Sequence, residues 1–249
     1  MAFLLQNRIA LITGGSKKLG SAIAWNLAKN GARVIINYRH SEKEAKQLVS
    51  CLIDNGFQAS SVYADITKPK EIKSMIEKIG VDFGSIDILI NNVGPWTEYG
   101  LNELDPDQYD EIMDANVKGS LYCSQFTFPF MKLKRWGRII NISATSCFYR
   151  NHSVYGLAKN AINVLTQSLA IEFAPYVTVN AIAPGLIEDP SLLESETQKV
   201  RDVTPLQRLP TFEEISHLIL LMCGPEFDLV TGQVIAVDGG AHLQKSPWI

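Results

Sequence analysis

Arg8-Ile-Ala-Leu-Ile-Thr13-Gly14-Gly15-Ser16-Lys17-Lys18-Leu19-Gly20 is the stretch that decides the fold of this 249-residue chain. Arg8 to Thr13 is a short apolar run suited to a strand buried on both faces. A glycine-rich turn follows at once. Beyond it Ile23, Leu27 and Ala28 recur on one helical face, and Asn30-Gly31 closes that pattern ahead of a second apolar run at Val34–Ile36. In a strand, glycine turn, helix and strand unit, the backbone at the turn can approach a pyrophosphate. The helix start adds free N–H groups and the positive end of its dipole. An ordinary tight turn would explain the glycines alone. The flanking elements favour a phosphate cradle.

Further strand-like runs lie at Val34–Asn37, Ile86–Ile90, Arg138–Ile142, Val177–Ala181 and Gln233–Val237, alternating with helical patterns, and Ala59–Ala64 alternates apolar and polar. The expected fold is α/β: a single doubly wound (Rossmann) parallel sheet with helices on both faces. One domain over residues 1–249 is expected, since no Pro/Gly/Ser-rich linker, repeat or low-complexity tract divides the chain. Ligands of such sheets sit beyond the carboxyl ends of the strands. Gly14, Asn92, Ser143 and Gly185 each follow a predicted strand.

Tyr155-Gly156-Leu157-Ala158-Lys159 leads into a helical pattern over Asn163 to Phe173. Positions four apart share a helix face, so phenol and ammonium can meet. A free tyrosine has a pKa of about 10, and an adjacent cation favours its phenolate. By spacing alone the pair is an ordinary solvated helix face. Its force comes from the phosphate-binding pattern at the other end of the chain.

Together these motifs resemble the short-chain dehydrogenase/reductase family. Thr13, Gly14 and Gly20 match Thr-Gly-x-x-x-Gly-x-Gly, with Lys18 in place of the middle glycine. Asn91-Asn92-Val93-Gly94, Asn116-Val117-Lys118-Gly119, Tyr155 with Lys159, Pro184-Gly185 and Val237-Asp238-Gly239-Gly240 follow in family order. The resemblance implies an NADP(H) site made by Gly14, Ser16, Lys17, Lys18, Leu19, Gly20, Tyr38, Arg39, Ser41, Asp65, Ile66, Asn92, Val93, Gly94, Tyr155, Lys159, Pro184, Gly185 and Ile187. It assigns Asp65 to the adenine side and catalysis to Asn116, Ser143, Tyr155 and Lys159. Hydride addition to a carbonyl needs a proton at the oxygen, and Tyr155 is the implied donor. Lys159 lowers its pKa, and Asn116 anchors a water leading to solvent. Ser143, 12 residues before Tyr155, is the favoured carbonyl-orienting hydroxyl. Aligning Asn141 with its family counterpart points instead to Ala144, and Thr145 and Ser146 are further candidates.

NAD-preferring relatives carry an acid where Tyr38 stands. Here Arg39 follows, Lys17 lies in the turn, and no competing acid is visible, which suits a 2′-phosphate. Alternatively Arg39, His40 and Lys43 are solvated loop charges. Leu186 to Pro205 matches a substrate lid at about 186–205, with Leu186, Ile187, Leu192 and Leu193 to cover an apolar ligand. Trp96, Tyr99, Phe148, Tyr149 and His152 either line the pocket mouth or pack. The similarity is closest to 3-oxoacyl-acyl-carrier-protein reductases, ranked first, and to pteridine-reductase-like members; a quinone reductase stays open. Arg135 matches one basic position for docking acyl carrier protein, and Tyr176 replaces the other. Lys18 stands where pteridine reductases have arginine, but their catalytic aspartate is not seen near Ser143. A dinucleotide-binding sensor without turnover is the reading from another class, opposed by intact Asn116, Tyr155 and Lys159.

Net charge is −3, which gives no basic field for nucleic acid. The basic run Lys132 to Arg138 is expected to close a helix, complementing its dipole. The four cysteines lack any Cys-x-x-Cys and the four histidines are scattered, so free thiols in a reducing cytoplasm and no metal site are expected. The first predicted strand begins at Arg8, leaving no room for a cleaved signal, and no run reaches membrane-spanning length. By resemblance the chain forms a homotetramer, with a homodimer as alternative, through helices at Asp107–Lys134 and Ser153–Phe173 and the last strand. Phe126, Phe128, Phe130, Leu165 and Leu169 supply either that contact or the core.

Overall fold

The computed structural model describes residues 4–97, 100–148 and 153–243. Among these, seven strands form one sheet: β1 (Ile9–Ile12), β2 (Arg33–Tyr38), β3 (Ala59–Tyr63), β4 (Ile88–Asn91), β5 (Gly137–Ile142), β6 (Val177–Pro184) and β7 (Val234–Val237). Their order is β3-β2-β1-β4-β5-β6-β7 and every neighbouring pair is parallel. Winding reverses between β1 and β4, which places the expected ligand site at the carboxyl ends of these two strands.

Side chains along each central strand divide between two cores. Ile12, Ile90 and Ile142 face a layer made by α1 (Lys18–Lys29), α2 (Glu42–Asp54) and α8 (Phe212–Cys223), meeting Ile23, Leu48 and Ile219. Leu11, Leu89 and Ile139 face the other layer, α3 (Pro69–Phe83), α5 (Gly119–Lys134) and α6 (Val154–Glu172), meeting Ile76, Met131 and Leu169. The period of two buried on both sides explains why the strands read as unbroken apolar runs. Phe126, Phe128, Phe130 and Leu165 pack partly buried against this second core, and Leu169 lies within it.

The expected basic helix end is shorter than the run suggested. Lys132 and Lys134 occupy the last turn of α5, and Arg135 caps it in a left-handed conformation, φ +54°. Arg138 belongs instead to β5, buried, with its guanidinium over Trp136 and paired with Asp228. Strand pairing with β4 draws it out of the helix, because sheet hydrogen bonds outweigh a local charge pattern.

A ladder of buried polar groups ties the sheet to the helices beneath the cleft. Asn91 Nδ2 donates to Asn141 Oδ1 at 2.8 Å and Ser124 Oγ at 3.1 Å. Asn141 Nδ2 donates to Thr166 Oγ1 at 2.9 Å. Ser124 Oγ donates to the Ser120 carbonyl, and Ser120 Oγ to that of Asn116. Asn141 has no exposed surface, so Asn141→Ala strands two hydrogen-bonding partners in the core. The substitution is expected to cost about 2–3 kcal/mol, lowering the midpoint of thermal unfolding by about 4–10 °C; calorimetry showing no loss would refute the network's role.

Candidate active site

The glycine turn leaves β1 at Thr13, whose hydroxyl accepts from the backbone N–H groups of Asn92 (2.9 Å) and Val93 (3.3 Å). Asn92 Nδ2 returns bonds to the carbonyls of Thr13 and Gly14 at 3.0 and 3.1 Å. The two loops at the winding reversal are thereby locked together. Gly14 has φ +59°, and a Cβ there would lie 2.8 Å from Val93 Cγ2. Gly20, in the first turn of α1, would place a Cβ 2.6 Å from the Gly14 carbonyl. No side chain caps α1, so its N-terminal N–H groups face the turn without a side-chain partner. Leu19 is buried in the core, which leaves its backbone as the part able to meet a ligand.

A groove of about 420 Å³ runs from this turn past Tyr38, Arg39, Asp65, Ile66, Val93 and Gly94, and also takes in Ser16, Lys17 and Ser41. The expectation of cations without competing acids is overturned here. Glu44, in the first turn of α2, holds Lys17 at 2.7 Å, and Asp65 Oδ1 lies 3.5 Å from Arg39 Nη1. Folding brings α2 back over the turn, a proximity invisible along the chain. Burial raises the pKa of the Asp65 carboxyl, but bonds from Thr67 and the charge of Arg39 outweigh it and leave it lowered. Arg39 Nε also donates to His40 Nε2 at 2.6 Å.

Asn116 sits in a π-turn, Asp114–Lys118, between α4 (Pro106–Met113) and α5. Such a bulge re-aims a side chain from an otherwise regular helix. Its Nδ2 donates to the Ile112 and Pro95 carbonyls at 3.0 and 3.3 Å, while its buried Oδ1 has no hydrogen-bond partner among the described residues. Lys159 is 3% exposed. Its ammonium donates to the Ile142 carbonyl at 2.8 Å and lies 5.3 Å from the Tyr155 ring centroid. A Cβ on Gly94 would stand 2.6 Å from Lys159 Nζ and 2.7 Å from Asn116 Oδ1. Glycine is therefore required where these three elements converge. Burial pushes the Lys159 pKa down to about 8, with Cys147 opposing weakly. Tyr155 is half-buried beside this ammonium at the start of α6. A phenol so placed can give up and regain a proton.

The hydroxyl candidates separate. Ser143 Oγ lies 2.7 Å from Asn163 Oδ1 and 3.3 Å from the Lys159 carbonyl, directed toward α6. Buried Thr145 has its Oγ1 3.6 Å from where a Gly185 Cβ would stand, and buried Ser146 Oγ has no partner among the described residues. Gly185, just after Pro184, would place a Cβ 2.6 Å from that of Asp238.

Within the expected lid, Ile187 packs against the core while Leu186, Leu192 and Leu193 are exposed, and residues Glu194–Val203 form α7. Trp96 and Phe148 are exposed. Tyr99, Tyr149 and His152 lie outside the described residues. Two features escaped sequence reading. Lys18 is paired with Asp189 at 2.8 Å. Asp238, in the last family motif, binds His242 Nδ1 at 2.9 Å, and Phe148 meets that imidazole with ring centroids 5.1 Å apart. The four-residue spacing of Asp238 and His242 was the available signal for the second, whereas the 170 residues between Lys18 and Asp189 offered none.

The profile of a family described as enoyl-(acyl carrier protein) reductase matches residues 9–242. The chain belongs to the short-chain dehydrogenase/reductase family. This oxidoreductase is 31% identical over 243 residues to 3-oxoacyl-[acyl-carrier-protein] reductase of Staphylococcus epidermidis, covering 95% of this chain and 100% of the relative. It is 35% identical over 249 residues to a tropinone reductase homologue of Arabidopsis thaliana, covering 95% and 92%. Its fold superposes on a gluconate 5-dehydrogenase from Burkholderia cenocepacia, solved with NADP and tartrate, with TM-score 0.91, 29% identity and 98% of both chains.

Lys159 gives the short-chain dehydrogenase/reductase a pH signature in stability. Its pKa falls from 10.5 unfolded to about 8 folded, so between those values the unfolded chain binds more protons and stability rises with pH. The gain is on the order of 3 kcal/mol across that window. Urea unfolding at pH 7 to 10.5 should show this rise in the wild type relative to Lys159→Met, whereas parallel curves would contradict it.

Proposed function

We propose that this oxidoreductase is an NADPH-dependent carbonyl reductase that converts the ketone of a 3-oxoacyl thioester to an alcohol. The observation that carries the reading is the buried Lys159 ammonium beside Tyr155, with Gly94 stripped to hydrogen so that Asn116 and Lys159 can converge. The residues fit a dinucleotide: Gly14 and Gly20 leave a cradle that a Cβ would fill, and Asn116 Oδ1 is a buried acceptor awaiting a donor. When bound, the nicotinamide supplies hydride to the carbonyl carbon. Tyr155 donates its phenolic proton to the carbonyl oxygen, and Lys159 stabilises the resulting phenolate. Ser143 orients the carbonyl after exchanging its bond to Asn163. Asn116 holds the water through which the proton is replaced.

NADPH is favoured over NADH because Tyr38 stands at the ribose-reading position and Lys17 and Arg39 both line the groove. Each already has a carboxylate neighbour, so a 2′-phosphate must draw them from Glu44 and Asp65. At the expected carrier-docking surface, Arg135 lies over the Tyr176 ring at 5.4 Å, beside Lys132. A ring in place of the second basic position favours a free thioester over a carrier-bound one. A polyhydroxy keto acid is the second reading, supported by the gluconate 5-dehydrogenase of the same fold. We place the enzyme in the cytoplasm; no described helix is long and apolar enough to cross a membrane. We also assign it a homotetramer through α5 and α6, where Leu133, Val164 and Ile171 are exposed; a homodimer is the simpler alternative.

NADPH oxidation with acetoacetyl thioesters, quinones, dihydropterins and keto sugar acids tests these readings. Tyr155→Phe should lower kcat about 10²- to 10⁴-fold with NADPH affinity retained. Tight NADPH binding with no turnover on any carbonyl would point to a sensor. Arg39→Ala should weaken NADPH about tenfold while leaving NADH little changed; equal loss for both would remove the phosphate-binding role.

A further inference from the structure

Lys18 adopts φ +48°, a left-handed conformation that glycine accepts freely and that lysine occupies only under strain. Its side chain is largely exposed, yet its ammonium is engaged at both of its nearest partners. The ammonium lies 2.8 Å from Asp189 Oδ2 and donates to Ser191 Oγ at 3.3 Å. Asp189 is fixed in turn, since its Oδ1 accepts from the backbone N–H and the hydroxyl of Ser191 at 2.9 and 2.7 Å. One end of this tie opens α1 at the glycine turn, and the other belongs to the lid segment between β6 and α7. That segment is internally braced, with Arg201 of α7 joined to both Glu188 (2.6 Å) and Glu194 (2.5 Å). The pair thus fastens a braced lid to the phosphate-binding turn. An ammonium has three N–H donors, and Asp189 and Ser191 use two, which leaves one for a phosphate oxygen.

We propose that Lys18 and Asp189 form a strap that holds the lid over the pyrophosphate end of a bound dinucleotide, making them positioning residues that set how long the cofactor stays. The strap rests on the dinucleotide reading above. Its opposite, in which Asp189 merely masks the Lys18 charge until a cofactor arrives, predicts effects of the other sign.

Two measurements decide it. In the holoenzyme, NADPH release is followed by stopped-flow fluorescence during displacement with excess NADP⁺. Asp189→Asn and Lys18→Gly should each release NADPH about tenfold faster, with Lys18→Arg close to wild type. Lys18→Gly relieves the backbone strain, so its thermal midpoint should not fall, which separates faster release from unfolding. Release from Asp189→Asn at the wild-type rate or more slowly would overturn the strap. In the apoenzyme, trypsin should cut at Lys199 and Arg201 several-fold faster in Asp189→Asn than in wild type, and unchanged cutting would also overturn it. If the wild type failed to bind NADPH, the dinucleotide reading would fall, yet the apoenzyme measurement would still judge the lid contact.

Discussion

A single buried charge organises the candidate active site of this protein. The Lys159 ammonium lies almost wholly out of solvent, where an isolated cation is costly. The terminal carbonyl of β5 offsets part of that cost, and the lowered pKa is the sign of what remains. An exposed lysine would be easier to fold around, but its field at the Tyr155 phenol would be screened by water. Gly94 and the π-turn at Asn116 follow from the same need, because a side chain at one or a regular helix at the other would keep the polar groups apart.

The polar ladder from Asn141 through Asn91, Ser124 and Ser120 to Asn116 extends that logic into the core. Carboxyl ends of parallel strands are natural places for ligands, but strand ends alone do not fix a side chain to within a hydrogen bond. Here the fixing is done by amide and hydroxyl groups that have no water to turn to. Thr13 and Asn92 do the same for the glycine turn.

The cofactor side is arranged differently, with each cation leaning on an acid from another element: Lys17 on Glu44, Arg39 on Asp65, Lys18 on Asp189. These pairs are partly exposed and individually weak. Weak pairing at Lys17 and Arg39 leaves both groups able to exchange partners. It also means that charge counted along the chain overstates what the groove presents to an anion.

Sheet, winding and the run of family motifs were legible because they depend on short-range pattern: apolar runs buried on both faces, glycines where backbone meets backbone, and a phenol and an ammonium one helical turn apart. Tyr38, Arg39 and Lys17 could be placed along one groove for the same reason. What the chain by itself could not disclose was long-range. It did not show that Glu44 and Asp65 stand against the groove's cations, that Ser143 turns toward Asn163, that Arg138 is drawn into β5, or that Lys18 reaches the lid. Each is a choice between partners far apart in sequence. Only packing sets the distances that decide which partner wins, since electrostatic and hydrogen-bond energies fall away within a few ångströms.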